Sequence, residues 1–439
     1  MERHSTAPLR VDATEGTPTD ARRRRVRFAD VFAGLGGFHV ALGRLGHECV
    51  FASEIDEELR AVYQRNFGLL PAGDICHVAA ADVPEHEVLC AGFPCQPFSL
   101  AGKKIGTKCP ESGKLIDDVF RLVRQHSPQY VLLENVPNVL TIANGTFWES
   151  IRRRFVRLGY TVEHRTYSPL DFGVPQQRVR LFVVARAKGT PGFCWPEPPP
   201  TQVRSLSDYV RSDAGPYRLL EPGKSRAISK WNEVVARFHG AIKSHTILAT
   251  EFGATYPVEG LKPGRPWRSH QGAFGKKLAG ADSLQEAVGL LPQYAMAKEG
   301  AISAWQLPDV AFSRWLYDQD PAFFDAWKAD VTGWPNSWQK LEWRGDKALP
   351  SLWSQTIQFR ASGIRVMRPD MAPSLVAMSP TQTPILGPKR RYISVREAAS
   401  LQSLSELHSF PENNERAFRA LGNAVNAQIV YEIAKAVLQ

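Results

Sequence analysis

A chain of 439 residues, 43% hydrophobic and 22% charged, has the composition of a globular protein large enough for more than one domain, which excludes disorder throughout. Lys and Arg outnumber Asp and Glu by 54 to 44, a cationic balance that favours a polyanionic partner such as nucleic acid. The six cysteines form no Cys-x-x-Cys pair and no zinc-spaced cluster, and no apolar run approaches the roughly twenty residues of a membrane span, so a reducing cytoplasm is expected, without disulfides, metal or membrane anchor.

Residues 1–25 read as a disordered polar tail ending in Arg22-Arg23-Arg24-Arg25, either a solvated charge run or a phosphate-contacting arm. From Val26 to Arg186 short β-rich apolar runs alternate with helical patterns, the sequence form of an α/β sheet with helices on both faces. Strands are predicted at Val26–Phe32, Cys49–Ile55, Glu87–Phe93, Tyr130–Val136, Thr161–Ser168 and Arg180–Arg186, and helices at Asp56–Phe67, Leu115–His126 and Thr146–Leu158. The proline run 196–200 removes backbone donors and marks a boundary. We therefore divide the chain into a first domain over 26–190, a second, smaller domain over 191–390 whose secondary structure the weak periodicity leaves untraced, and returning helices over 391–439, with a break expected at Gly422-Asn423.

Asp30-Val31-Phe32-Ala33-Gly34-Leu35-Gly36-Gly37-Phe38 runs from a strand through a glycine turn into a helix, letting a ligand approach the backbone. His39 stands where a dinucleotide fingerprint would end, so a dinucleotide is the weaker reading. Glu54 closes the second strand, where a carboxylate accepts ribose hydroxyls, and Asp74 in Gly73-Asp74-Ile75 would accept from an adenine amino group; a helix cap or surface turn is the alternative for either acid.

Gly92-Phe93-Pro94-Cys95-Gln96-Pro97-Phe98-Ser99 puts a thiol on a rigid loop at the carboxyl edge of the sheet. Leu133-Glu134-Asn135-Val136 brings a carboxyl to the end of an apolar strand, where it is costly to desolvate unless protonated or paired. A buried inert cysteine and a salt-bridged glutamate are the bland alternatives. Together a thiol and a carboxyl form the pair needed to attack a pyrimidine ring that is not itself electrophilic, which points to cytosine.

With these blocks, Leu115-to-Leu122, Gln176-Gln177-Arg178-Val179-Arg180, Arg396-Glu397-Ala398-Ala399-Ser400-Leu401-Gln402 and Gly422-Asn423-Ala424-Val425 in the same order, the chain resembles the DNA (cytosine-5) methyltransferase family of prokaryotic restriction-modification type. The resemblance implies a Rossmann-like sheet that uses S-adenosyl-L-methionine, releasing S-adenosyl-L-homocysteine, with a target-recognition domain over 191–390. It implies methylation of carbon 5 of a cytosine flipped out of duplex DNA, with Cys95 attacking carbon 6, Glu134 protonating ring nitrogen 3, Arg180 and Arg178 binding the cytosine carbonyl, and Asn135 orienting the loop. Implied cofactor contacts are Phe32, Gly34, Leu35, Gly37, Glu54, Ile55, Asp74, Ile75, Pro94, Leu115, Asn423 and Val425, of which Leu115 and Asn423 would equally serve packing and capping.

Gln96 through Gly113 reads as a lid whose Lys103 and Lys104 meet phosphates, with Gln96 or Ser99 filling the vacated stack. Basic residues of the second domain, among them Lys262, Arg265, Arg268, Arg360, Arg365 and Arg368, suit phosphate contact or a solvated face equally. Two departures stand out: Ser374-Leu375 replaces the family's Thr-Leu pair near the flipped base, and Asn426 replaces a proline, putting the local helix start in question. The expected setting is a monomer paired functionally with a restriction endonuclease; the same chemistry on transfer RNA and a non-catalytic DNA-binding relative are the alternatives.

Overall fold

The computed structural model describes residues 25–93, 112–200, 204–210, 216–242, 245–264, 267–375 and 382–438. The first region runs β1 (Arg27–Val31), α1 (Gly37–Arg44), β2 (Glu48–Ser53), α2 (Glu57–Phe67), β3 (Val88–Ala91), α3 (Ser112–His126), β4 (Tyr130–Asn135), α4 (Thr146–Arg157), β5 (Tyr160–Tyr167), β6 (Gln176–Gln177) and β7 (Arg180–Ala187). The six strands expected from the sequence are those of one sheet, in the order β2-β1-β3-β4-β7-β5. All its pairings are parallel except those of β7, which runs antiparallel to β4 and β5 because no crossover helix separates β5 from it.

Strand residues alternate between two cores, as a side-chain period of two requires. Phe28, Val88, Cys90, Leu132, Phe182 and Val184 face one, shared with Phe38 and Leu42 of α1. Ala29, Leu89, Ala91, Val131, Leu133 and Val183 face the other, shared with Ile116 and Phe120 of α3 and Phe155 of α4. The α2 start is set by Asp56, whose carboxylate accepts from the amides of Glu58 and Leu59 at 3.0 and 3.1 Å, and its end by Gly68 at φ 74°.

The chain continues with α5 (Pro222–Phe238), β8 (Thr246–Leu248), α6 (Leu284–Gly289), α7 (Gln293–Met296), α8 (Leu307–Gln319), α9 (Pro321–Val331), β9 (Lys340–Arg344), β10 (Thr356–Arg360), β11 (Gly363–Met367), β12 (Ala372–Pro373), β13 (Ile385–Leu386) and β14 (Arg391–Tyr392). A second six-stranded sheet, ordered β14-β13-β10-β11-β9-β8, buries Ile357, Phe359, Ile364 and Trp343 against Trp231 of α5 and Phe324 and Trp327 of α9. Prolines in the first turns of α5, α8 and α9 start these helices rather than break them. Phe193, Trp195, Leu206, Tyr209 and Val210 pack on the first core, so that core reaches beyond residue 190.

Helices α10 (Val395–Leu401), α11 (Asn414–Asn423) and α12 (Ala427–Leu438) return to the first region, where α12 lies along α1. The break expected at Gly422-Asn423 falls just after them: both residues end α11, and the gap before α12 is 424–426. Asn426 settles the departure noted there: its side-chain oxygen accepts from the amides of Gln428 and Ile429 at 3.1 and 3.2 Å, starting α12 as an N-cap. Among the described residues, no helix is long and apolar enough to cross a membrane, and no group of three metal-ligating side chains occurs.

Candidate functional site

Because β1 lies between β2 and β3, the chain crosses first to one side of it and then to the other, opening a crevice beyond the carboxyl ends of these strands. The glycine turn fills its floor. Phe32 and Gly34 take left-handed backbone angles, φ 59° and 54°, before Gly36 starts α1 at φ 81°. The Gly34 amide donates to Glu54 Oε2 at 2.9 Å and the Asp56 amide to Oε1 at 3.0 Å. Burial pushes the Glu54 carboxyl above its ordinary value, opposed by these two amides. Each oxygen keeps a further acceptor position, the requirement for holding a vicinal diol.

Ile55, next to Glu54, leaves 70% of its surface exposed, and Phe32 is half-buried. Asp74 caps a turn, one oxygen accepting from the Cys76 amide at 3.0 Å. Leu35 and Ile75, expected to touch a cofactor, turn their side chains into the two cores and have only backbone to offer. Leu115 is half-buried in the first turn of α3, and Asn423 is exposed at the end of α11.

Glu134 is 7% exposed at the end of β4. Arg180, at the start of β7, approaches it with Nε 3.3 Å from Glu134 Oε1. Burial raises the carboxyl's pKa, and the charges of Arg180 and then Arg178 pull it back. The net shift is upward, so the acid keeps its proton to higher pH than an exposed glutamate does. Asn135 donates through Nδ2 to the Phe93 carbonyl at 3.0 Å and accepts from the Val136 amide at 2.8 Å, tying β4 to the residue that precedes Pro94-Cys95. Pro94, Cys95, Gln96, Ser99, Lys103 and Lys104 lie outside the described residues, as does most of the expected lid.

Arg178 departs from expectation. Its guanidinium, 3% exposed, does not stand free beside Arg180 for a base carbonyl. Nη2 donates to the carbonyls of Gly422 and Ala424 at 2.9 and 3.0 Å, and Nη1 to the Leu375 carbonyl and Ser374 Oγ at 3.3 and 3.4 Å. The reason is electrostatic: Gly422 and Ala424 close α11, where unpaired carbonyls gather partial negative charge. Leu375 likewise turns its side chain into the first core, 4% exposed, rather than toward a DNA surface.

The 422–425 segment closes the crevice. A Cβ on Gly37 would overlap the Val425 carbonyl oxygen, and one on Gly92 would lie 3.1 Å from Val425 Cγ2 and 4.0 Å from Glu134 Oε2. The glycine turn, Val425 and the Glu134 carboxyl therefore lie side by side. Sequence reasoning missed a polar knot below it. Asp30, fully buried with neither oxygen in hydrogen-bonding geometry, lies near Tyr63, whose hydroxyl is 2.7 Å from His39 Nδ1. Only the charged letter in the apolar strand Arg27–Val31 hinted at it. In the second domain, Arg360 and Arg365 pair with Glu342 at 3.2 and 3.0 Å, and Arg368 pairs with Asp370 at 2.7 Å, so these arginines are partly committed within the protein.

A family model of C-5 cytosine-specific DNA methylases matches residues 26–247 and 323–439. The chain is 30% identical to the type II methyltransferase M.AluI of Cellulosimicrobium cellulans, over 93% of this chain and 91% of that protein. It is 36% identical to M.MspI of Moraxella sp and 41% identical to M.HhaI of Haemophilus parahaemolyticus, over 46% and 38% of this chain. Those two alignments span only 48% and 50% of the relatives' own lengths. An E. coli prophage-encoded protein assigned as a DNA modification methyltransferase shares the fold, at TM-score 0.52 and 18% identity over 94% of this chain and 98% of that one. On the family match and the near-complete alignment to M.AluI, the chain belongs to the C-5 cytosine-specific DNA methylase family.

Proposed function

We propose that this chain is a sequence-specific DNA methyltransferase that places a methyl group on carbon 5 of a cytosine flipped out of duplex DNA, as the modification half of a restriction-modification system. The observation that carries the reading is Glu134, a buried carboxyl 3.3 Å from Arg180 at the strand end beside the Gly92 approach to Cys95. S-adenosyl-L-methionine fits the crevice as methyl donor, supplying an electrophilic methyl and leaving as S-adenosyl-L-homocysteine. The fit rests on Glu54, whose two oxygens each retain an acceptor site, and on the bare backbone of Gly34, beside which an added Cβ would meet nothing within 4 Å. Phe32, Gly34, Gly37, Glu54, Ile55, Asp74, Pro94, Leu115, Asn423 and Val425 would hold the donor, with Leu35 and Ile75 contributing backbone.

The chain's own residues would then act as follows. The Cys95 thiolate adds to carbon 6 of cytosine while Glu134 gives its proton to ring nitrogen 3, so the electron pair collects at carbon 5 rather than on a poor anionic sink. Carbon 5 takes the methyl and loses its proton to a base as the carbon–sulfur bond breaks and the thiolate returns, and ring nitrogen 3 hands its proton back to Glu134. Arg180 binds the carbonyl at position 2, and Asn135 fixes the entry to the Cys95 loop. The excess of 54 basic over 44 acidic residues supports a DNA partner.

The test is transfer of labelled methyl to unmethylated duplex DNA and to transfer RNA. Incorporation into DNA alone, lost in Cys95→Ser while that variant still binds S-adenosyl-L-homocysteine, is expected. Transfer only to RNA, or full activity in Cys95→Ser, would overturn the reading.

A further inference from the structure

Arg178 bonds to two segments far from it and from each other in sequence. On one side it holds the Leu375 carbonyl and Ser374 Oγ, just after β12; on the other it holds the two carbonyls that end α11. The residues leading into each contact are themselves fixed. Strand β12 pairs in parallel with β6, putting Ala372 opposite Gln176, and Gln402 Nε2 donates to Gln176 Oε1 at 3.1 Å with both side chains fully buried. Ser168 Oγ accepts from the Arg178 amide at 3.3 Å. The side chain also has two neighbours that matter: Arg180, two residues on, touches Glu134, and Val425, one residue beyond Ala424, presses on Gly37 and Gly92.

A guanidinium suits this place because its planar fork reaches several acceptors at once, which the point charge of lysine does not. Among the described residues no carboxylate bonds it. Its charge is met by carbonyl dipoles, the strongest at the α11 terminus. A shift of 422–424 therefore draws on the same cation that holds 374–375, and neither segment moves without changing the bonds of the other.

We infer that Arg178 is a positioning residue that couples the 374–375 segment, on the path to the second domain, to the 422–425 wall of the methyl-donor crevice, so that DNA and cofactor tighten one another's binding through it. The inference rests on the methyltransferase reading of that crevice. Coupling between two sites of this kind is ordinarily worth about 5–150-fold in affinity.

The experiment is equilibrium dialysis of labelled S-adenosyl-L-homocysteine against the full chain, with and without sheared unmethylated genomic DNA, for wild type, Arg178→Lys and Arg178→Met. In wild type, DNA should tighten binding by about tenfold or more; in both variants the factor should fall to about twofold or less. A purely structural staple would lower the melting temperature and leave that ratio intact, and a wild-type ratio in folded Arg178→Met overturns the proposal. Absence of DNA-induced tightening in wild type does so equally. Should the variants not fold, amide hydrogen exchange in wild type decides: S-adenosyl-L-homocysteine alone should slow exchange at 372–375 as well as at 422–425. Slowing at 422–425 only would overturn the coupling. Failure of the wild type to bind S-adenosyl-L-homocysteine at all is a separate outcome, which rejects the function proposed above along with the inference built on it.

Discussion

Replacing Asn135 with alanine and, separately, with aspartate should give two deficits of different pH dependence. The neighbours dictate the orientation of the amide: the Phe93 carbonyl only accepts and the Val136 amide only donates, so Nδ2 faces the first at 3.0 Å and Oδ1 the second at 2.8 Å. Alanine orphans a carbonyl on a residue 7% exposed, a loss of about 1–3 kcal/mol. Aspartate keeps the bond to Val136 but turns an acceptor toward the Phe93 acceptor and buries a charge, so near neutral pH it should cost more than alanine. Protonation would restore the missing donor. The folded-state pKa of the new carboxyl is then raised above its unfolded value, so its stability contribution is greatest at low pH and is lost as pH rises through the window between the two. Thermal melts from about pH 8 down to about pH 5 should show Asn135→Asp gaining on Asn135→Ala, with about 2–4 °C per kcal/mol for a domain of this size. Methyl transfer should fall in both, since displacing a nucleophile by about 1 Å costs about a hundredfold. A gap between the variants that is flat, or widens toward acid, would refute the assigned roles of both Asn135 atoms.

Arg180→Met removes the nearest positive charge opposing the burial of Glu134, so the carboxyl should hold its proton to higher pH. Single-turnover rates should fall overall while their alkaline limb moves upward; a limb that stays put or moves toward acid contradicts the pairing. Asp30→Asn tests the buried knot under the glycine turn. Burial holds the Asp30 carboxyl well above the usual carboxylate range. A raised carboxyl contributes most below its unfolded pKa and loses stability as pH rises toward the folded value, a slope that asparagine lacks. The melting temperature of the variant relative to wild type should therefore climb between about pH 5 and about pH 8, and a pH-independent difference would place the carboxyl in water.

The first sheet was legible because its strands obey two simple periods at once: apolar on both faces, with helix-spaced runs between them. Each expected strand end lies within two residues of the observed one. The second domain was not, because its periodicity is weak, its helices open on Pro222, Pro308 and Pro321 with no strong apolar period to announce them, and β12, β13 and β14 are only two residues long. Glu134 and Glu54 were found as charged letters closing apolar runs. A motif marks a stretch of chain and not the direction of each side chain: Leu35, Ile75 and Leu375 turn inward because the turns around them do. Arg178 shows the limit most clearly, since its partners stand up to 246 residues away and no local pattern announces a bond to a helix terminus that distant.

Helix α12 covers Phe38 and Leu42 of α1, so an early-made part of the fold waits for one made much later. At roughly 5–20 residues per second, the roughly 400 residues separating them take the ribosome some tens of seconds to make. Throughout that interval the nascent sheet carries an oily, uncovered flank, which makes it a substrate for holdase chaperones and for sticking to its siblings on the same messenger.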